Sequence, residues 1–124
     1  MKGLAINMTI REIMRVLDAE LFCCELGPDV DLKSVCGSDL MSDVLAHVKE
    51  QAVLLSGLVN PQVIRTAEMM DMLCVVFVRG KKPTDEIVSL AKEMGICVLA
   101  TRHTMFMASG LLYQSGMRDW GRDD

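Results

Sequence analysis

Residues 74–103 read CVVFVRGKKPTDEIVSLAKEMGICVLATRH. An unbroken apolar run, Cys74 to Val78, meets a basic turn, Arg79-Gly80-Lys81-Lys82-Pro83, and then a helix. Thr84 caps that helix, Asp85 and Glu86 sit in its first turn, Ile87, Leu90, Ala91 and Met94 form its apolar face, and Gly95 ends it. A second run, Ile96 to Leu99, follows at once and meets a second basic turn, Thr101-Arg102-His103. Strands buried on both faces of a parallel sheet read as such runs, and parallel neighbours need a helical crossover between them. The stretch is therefore a strand–helix–strand unit.

The same sentence is written once more upstream. Val53 to Leu55 is the run, SGLVNP the turn, and Asn60 caps a helix with Pro61 at its first position, running to about Met70. Before it, Ser34 to Cys36 reads as a short strand, and SDLMSDVLAHVK as a helix in which Met41, Val44, Leu45 and Val48 share a face behind Ser38 or Asp39 as N-cap. Near the N-terminus Ile10, Ile13, Met14 and Leu17 repeat at helical spacing, with Thr9 and Glu12 as a capping box. Leu21 to Cys24 reads as a strand, followed by a Gly27-Pro28-Asp29 turn. A last helix spans about Thr104 to Ser115 and stops at Gly116.

The order is α–β–β–α–β–α–β–α–β–α. That describes a small α/β sandwich with a mainly parallel sheet of about five strands, flanked by helices and linked by right-handed crossovers. Residues 1–117 form one domain, and RDWGRDD, residues 118–124, is expected to be a disordered tail.

Composition removes several classes of function. A net charge of −4 and only three Phe, one Tyr and one Trp disfavour a nucleic-acid partner, which needs a basic face or stacking rings. Although 51% of residues are hydrophobic, the longest uncharged stretch, Gln51 to Ile64, carries Gln, Ser, Gly, Asn and Pro, so no membrane span is expected. Lys2, Asn7 and Arg11 interrupt the apolar N-terminus, which argues against a secretory signal and for the cytoplasm. No CxxC or Cys/His ligand spacing exists among the five cysteines, so no metal and no cofactor is implied. Cys36, Cys74 and Cys97 read as buried free thiols, and one of Cys23 and Cys24 as exposed. Eleven methionines suit either core filling or a Met-lined homodimer interface.

In open sheets of this kind ligands bind beyond the carboxyl ends of the strands. Four turns meet there: Gly37-Ser38-Asp39, Ser56-Gly57-Leu58-Val59-Asn60, Arg79-Gly80-Lys81-Lys82 and Thr101-Arg102-His103-Thr104. Each opens a helix, whose free N–H groups favour an anion, and two carry the basic or titratable residues Arg79, Lys81, Lys82, Arg102 and His103. Solvation of the loops accounts for the same charges equally well. The candidate ligand-binding residues are Ser38, Asp39, Ser56, Gly57, Asn60, Arg79, Gly80, Lys81, Thr101, Arg102 and His103.

Catalytic motifs are missing. A P-loop needs Gly where Val75 stands and Ser or Thr where Lys82 stands. Ser56-Gly57 lacks the preceding Gly of a nucleophile elbow. His47 reads as a surface residue of its helix, and Asp39 with Asp43 as capping and solvated carboxylates. An enzyme acting on a phosphorylated substrate through His103 and Asp39 is the least supported class.

DLMSDVLA at Asp39 to Ala46, the turn from Gly57 to Pro61, RGKKP at Arg79 to Pro83 and TRHTMF at Thr101 to Phe106 closely resemble the DRTGG domain family. That family is a small α/β domain similar to the N-terminal domain of HPr kinase, and the resemblance runs from Thr9 to Met117. Its Asp-Arg-Thr-Gly-Gly signature is absent: SGLVNPQ stands where members have a GDR-type turn, and Gly80 alone remains of a later pair. The resemblance implies a stand-alone regulatory or ligand-sensing domain without catalysis, and the turns at the strand ends point to a small anionic metabolite or adenine nucleotide as its ligand. A protein-interaction module that docks a partner enzyme and binds no small molecule is the alternative.

Overall fold

The computed structural model describes residues 7–46 and 50–119. In chain order its elements are β1 (Met8–Thr9), α1 (Ile10–Leu17), β2 (Glu20–Cys23), β3 (Asp31–Leu32), β4 (Ser34–Gly37) and α2 (Met41–Val44). They continue with β5 (Ala52–Ser56), α3 (Pro61–Met69), β6 (Cys74–Phe77), α4 (Asp85–Met94), β7 (Cys97–Ala100) and α5 (Met105–Gln114).

The apolar runs form the centre of a five-stranded sheet in the order β2-β7-β6-β5-β4. Strands β4 to β7 are parallel and β2 runs antiparallel along β7. Every residue of β5, β6 and β7 is buried, so their side chains alternate between two cores rather than between core and water. Leu54, Val75, Phe77 and Val98 face the helices α2, α3 and α4. Val53, Leu55, Val76 and Leu99 face α1 and α5. The three crossover helices share one face because the parallel strands step across the sheet in one direction, which crossovers of a single hand require. A two-stranded ribbon, β1 with β3, adds Met8 and Leu32 to the second core. This is the mixed α/β architecture that the strand–turn–helix repeat implies.

Local signals hold where the chain is long enough to show them. Thr9 Oγ1 accepts from the Glu12 N–H at 3.1 Å while the Glu12 carboxylate accepts from the Thr9 N–H at 2.8 Å, the reciprocal capping box. Thr84 caps α4 and Gly95 closes it at φ 71°.

Several readings are corrected. The helix expected from Ser38 to Lys49 is, among the described residues, one turn, Met41–Val44, capped by neither Ser38 nor Asp39. Leu40 stands at the cap position and offers no side-chain acceptor, while Asp39 is bonded elsewhere. His47 and Val48 lie outside the described residues. Cys97 is not a free thiol: it forms a disulfide with Cys24, which follows the end of β2 and comes alongside β7. Cys23 and Cys74 are buried thiols, and desolvation pushes both above the ordinary thiol range. Of the residues counted with the tail, Arg118 and Asp119 lie against β4, the Arg118 carbonyl accepting from the Val35 N–H at 3.0 Å. Residues 120–124 lie outside the described residues.

The disulfide closes a sequence separation of 73 residues and ties an edge strand to the sheet. Constraining the unfolded chain over such a loop stabilises the folded state by about 2–4 kcal/mol. Urea unfolding with and without dithiothreitol should show a loss of that size on reduction, and Cys24→Ser should lower stability and remove the response to reductant.

Candidate functional site

The carboxyl ends of the parallel strands are in register: Gly37 lies beside Leu55, Ser56 beside Phe77, and Phe77 beside Ala100. The turns that follow are laced to one another by backbone. Arg79 turns the chain in the left-handed region at φ 62°, followed by Gly80 at φ 73°. A non-glycine residue there costs on the order of 1 kcal/mol and needs compensation. The Arg79 N–H donates to the His103 carbonyl at 2.7 Å and the Gly80 N–H to the Thr101 carbonyl at 3.0 Å. Thr101 is itself anchored, its buried hydroxyl donating to the Leu17 carbonyl at the end of α1 at 2.7 Å.

So held, Arg79 reaches back across the neighbouring turn. A Cβ at Gly57 would lie 2.5 Å from Arg79 Nη2, so the guanidinium covers a position where only glycine fits without displacing it. Asp39 approaches the same place from the turn after β4. Its Oδ1 accepts from the Gly57 N–H at 2.6 Å and from the Ser56 hydroxyl at 3.2 Å, and its Oδ2 lies 3.9 Å from Arg79 Nη2.

On the other side of Arg79 opens a cleft of about 670 Å³, lined by Asp18, Glu20, Arg79, Gly80, Lys82 and Arg102 with Ala100 and Thr101 as its floor. Lys82 Nζ is 3.5 Å from Glu20 Oε1. Arg102 has no ion-pair partner among the described residues. Three cations and two carboxylates make the cleft polar, and Asp18, like Arg102, has no ion-pair partner among the described residues.

Of the residues singled out in the sequence, Arg79, Gly80, Thr101 and Arg102 line this cleft, and Asp39, Ser56 and Gly57 gather beside it. Ser38 bonds within its own turn, accepting from the Leu40 N–H at 3.0 Å. Asn60 caps α3, accepting from the Gln62 N–H at 2.8 Å. Lys81 and His103 do not line the cleft; His103 contributes its backbone carbonyl. Helix ends contribute less than their convergence suggests. Helix α2 is a single turn, Asn60, Thr84 and Thr104 already occupy N–H groups of α3, α4 and α5, and Asp85 and Glu86 stand at the start of α4. Asp18 and Glu20 were not legible as lining residues, because they reach this edge only through the antiparallel direction of β2. Among the described residues no group of three or more His, Cys, Asp or Glu could hold a metal ion.

A second groove, about 330 Å³, lies between β4 and α5 and is lined by Val35, Gly37, Phe106, Gly110, Tyr113 and Met117, among others. The Arg118 guanidinium covers the Tyr113 ring at 3.9 Å.

A mostly parallel sheet covered on both faces, with a polar cleft at its carboxyl edge, defines an α/β domain. The family is explicit: residues 12–115 match the DRTGG domain, and the chain belongs to the DRTGG domain family. No curated protein matches the chain in sequence. Among solved structures it is similar to the CBS and DRTGG domains of the regulatory region of Clostridium perfringens pyrophosphatase, complexed with the activator diadenosine tetraphosphate, at 23% identity and a TM-score of 0.70. The match covers 94% of this chain and 51% of that one, so this chain spans about half of that regulatory region. At that identity the likeness establishes the fold.

The Thr101 hydroxyl is the tie between α1 and the turn that carries Arg102. Thr101→Val keeps the shape and leaves the Leu17 carbonyl unbonded in the interior, which should cost about 1–3 kcal/mol in urea unfolding.

Proposed function

We propose that this chain is a regulatory, ligand-sensing domain without catalytic activity, and that it takes a small anionic metabolite in the cleft between the Arg79 and Arg102 turns. The observation that carries the reading is Arg102: a guanidinium without an ion-pair partner among the described residues, lining a cleft together with Thr101, Arg79 and Lys82 and with the carboxylates Asp18 and Glu20. Fixed cations in a concave site bind phosphate or carboxylate more strongly than the same charges on an open surface. Adenine nucleotides are the first ligands to try, since the pyrophosphatase regulatory region is solved with diadenosine tetraphosphate as its activator. The missing P-loop residues, Val75 and Lys82 in place of Gly and Ser or Thr, support binding without phosphoryl transfer.

A ligand that binds only the folded state stabilises it by about 2.7 kcal/mol at a hundred times its dissociation constant. Thermal melts against millimolar anionic metabolites, nucleotides included, should therefore show an upward shift. Arg102→Ala should abolish it, and Lys92→Ala, in the last turn of α4, should leave it intact. A flat response across the panel rejects the sensing reading.

A separate observation supports self-association. Helix α5 is apolar on nearly every side, yet Phe106 is 83% exposed and Tyr113 62%, with Met107 beside them. An apolar outer face of this kind belongs against another surface. Phe106 and Tyr113 also line the groove between β4 and α5, so the exposed rings and the concavity form one continuous surface, which a second copy could cover about a twofold axis. Light scattering at micromolar concentration should give a dimer mass, and Phe106→Ser a monomer. A monomer mass for the unmodified chain leaves this face to a different protein, as in the interaction-module reading.

A further inference from the structure

Asp39 stands where an anionic ligand of these turns would stand. Three donors from two different turns converge on its carboxylate: the Gly57 N–H at 2.6 Å, the Ser56 hydroxyl at 3.2 Å and, at 3.9 Å, the Arg79 guanidinium. Two of the donors are held by the sheet, and the third by its main chain. Ser56 is fully buried at the end of β5 and Gly57 follows it directly, while Arg79, whose guanidinium is half-exposed, has its backbone tied in a left-handed turn to the His103 carbonyl. The acceptor is the movable partner. Asp39 sits on a loop, half-exposed, and the helix that follows is a single turn without a side-chain cap. A half-exposed ion pair at 3.9 Å is readily exchanged for a closer one.

Arg79 belongs both to this contact and to the cleft. We infer that Asp39 is an internal stand-in for the ligand's anionic group: an incoming oxyanion, phosphate or carboxylate, takes its place on Gly57, Ser56 and Arg79 and releases the segment from Ser38 to Val44. The inference rests on the ligand-sensing reading and adds its output, because displacement of Asp39 turns occupancy of the cleft into movement of the loop before α2. Charge sets the direction of exchange. A phosphate oxyanion brings more negative charge to the guanidinium than a single carboxylate, and charge-assisted bonds to Arg strengthen accordingly.

Asp39→Asn removes the competing charge and keeps an oxygen for the Gly57 N–H. Calorimetric titration of the full chain with inorganic phosphate, and separately with citrate to distinguish a phosphoryl from a carboxylate source, should give about tenfold tighter binding in Asp39→Asn for the preferred anion. Asp43→Asn, on the same segment, should bind as the unmodified chain does. If the unmodified chain binds and Asp39→Asn binds equally or more weakly, displacement is wrong and sensing stands. If only Asp39→Asn binds, displacement is supported and the unmodified domain is shut to these anions. If neither binds, both ideas fall. Amide spectra of the unmodified chain keep the test open should the variant misfold. Phosphate should shift Gly57, Leu40 and Asp43 together, and shifts confined to Gly80 and Arg102 would overturn the inference.

Discussion

Burial of three parallel strands on both faces is the constraint on which the rest of this molecule depends. With β5, β6 and β7 wholly inside, neither face of the sheet can meet water, so helices must cover both and every connection must run over the ends. Polar side chains are thereby driven to the strand ends, where Ser56 and Thr101 are buried only because each finds a partner. The chemistry of the domain is concentrated at one edge for the same reason that its core is apolar.

At that edge Arg79 joins parts that would otherwise be independent. Its backbone binds the turn after β7, while its side chain lies over the turn after β5 and faces the Asp39 carboxylate. The local cost of a left-handed arginine is offset by two backbone hydrogen bonds, and the side chain extends from that held turn over Gly57. A cation whose main chain is already placed loses less freedom on meeting an anion than one on a loose loop.

The apolar runs and the caps at Thr9, Asn60 and Thr84 were legible because each is local: a run of three to five residues or an oxygen two or three positions from its N–H. Strands β1 and β3 were not, since two residues show no period. The α2 region was overread because its apolar spacing is helical, whereas a longer-range bond from Gly57 takes the carboxylate that would have capped it. Cys24 and Cys97 could be paired only by knowing that β2 lies antiparallel on β7. In the candidate site, Gly57 and Arg79 each stood out in the sequence. Their contact did not, because it follows from the register of β5 against β6.

A chain with mean hydropathy of +0.30 has reason to keep its sheet from growing. At one border the segment through Arg118 and Asp119 lies along β4 and takes the Val35 N–H. At the other, β2 is four residues long and its pairing slips between Leu21 and Cys23. Irregular, short or covered borders give a foreign strand no template, and that is how natural sheets resist edge-to-edge aggregation. The last turns of this chain thus act as a selvedge, keeping an unusually oily fabric from being knitted to its neighbour.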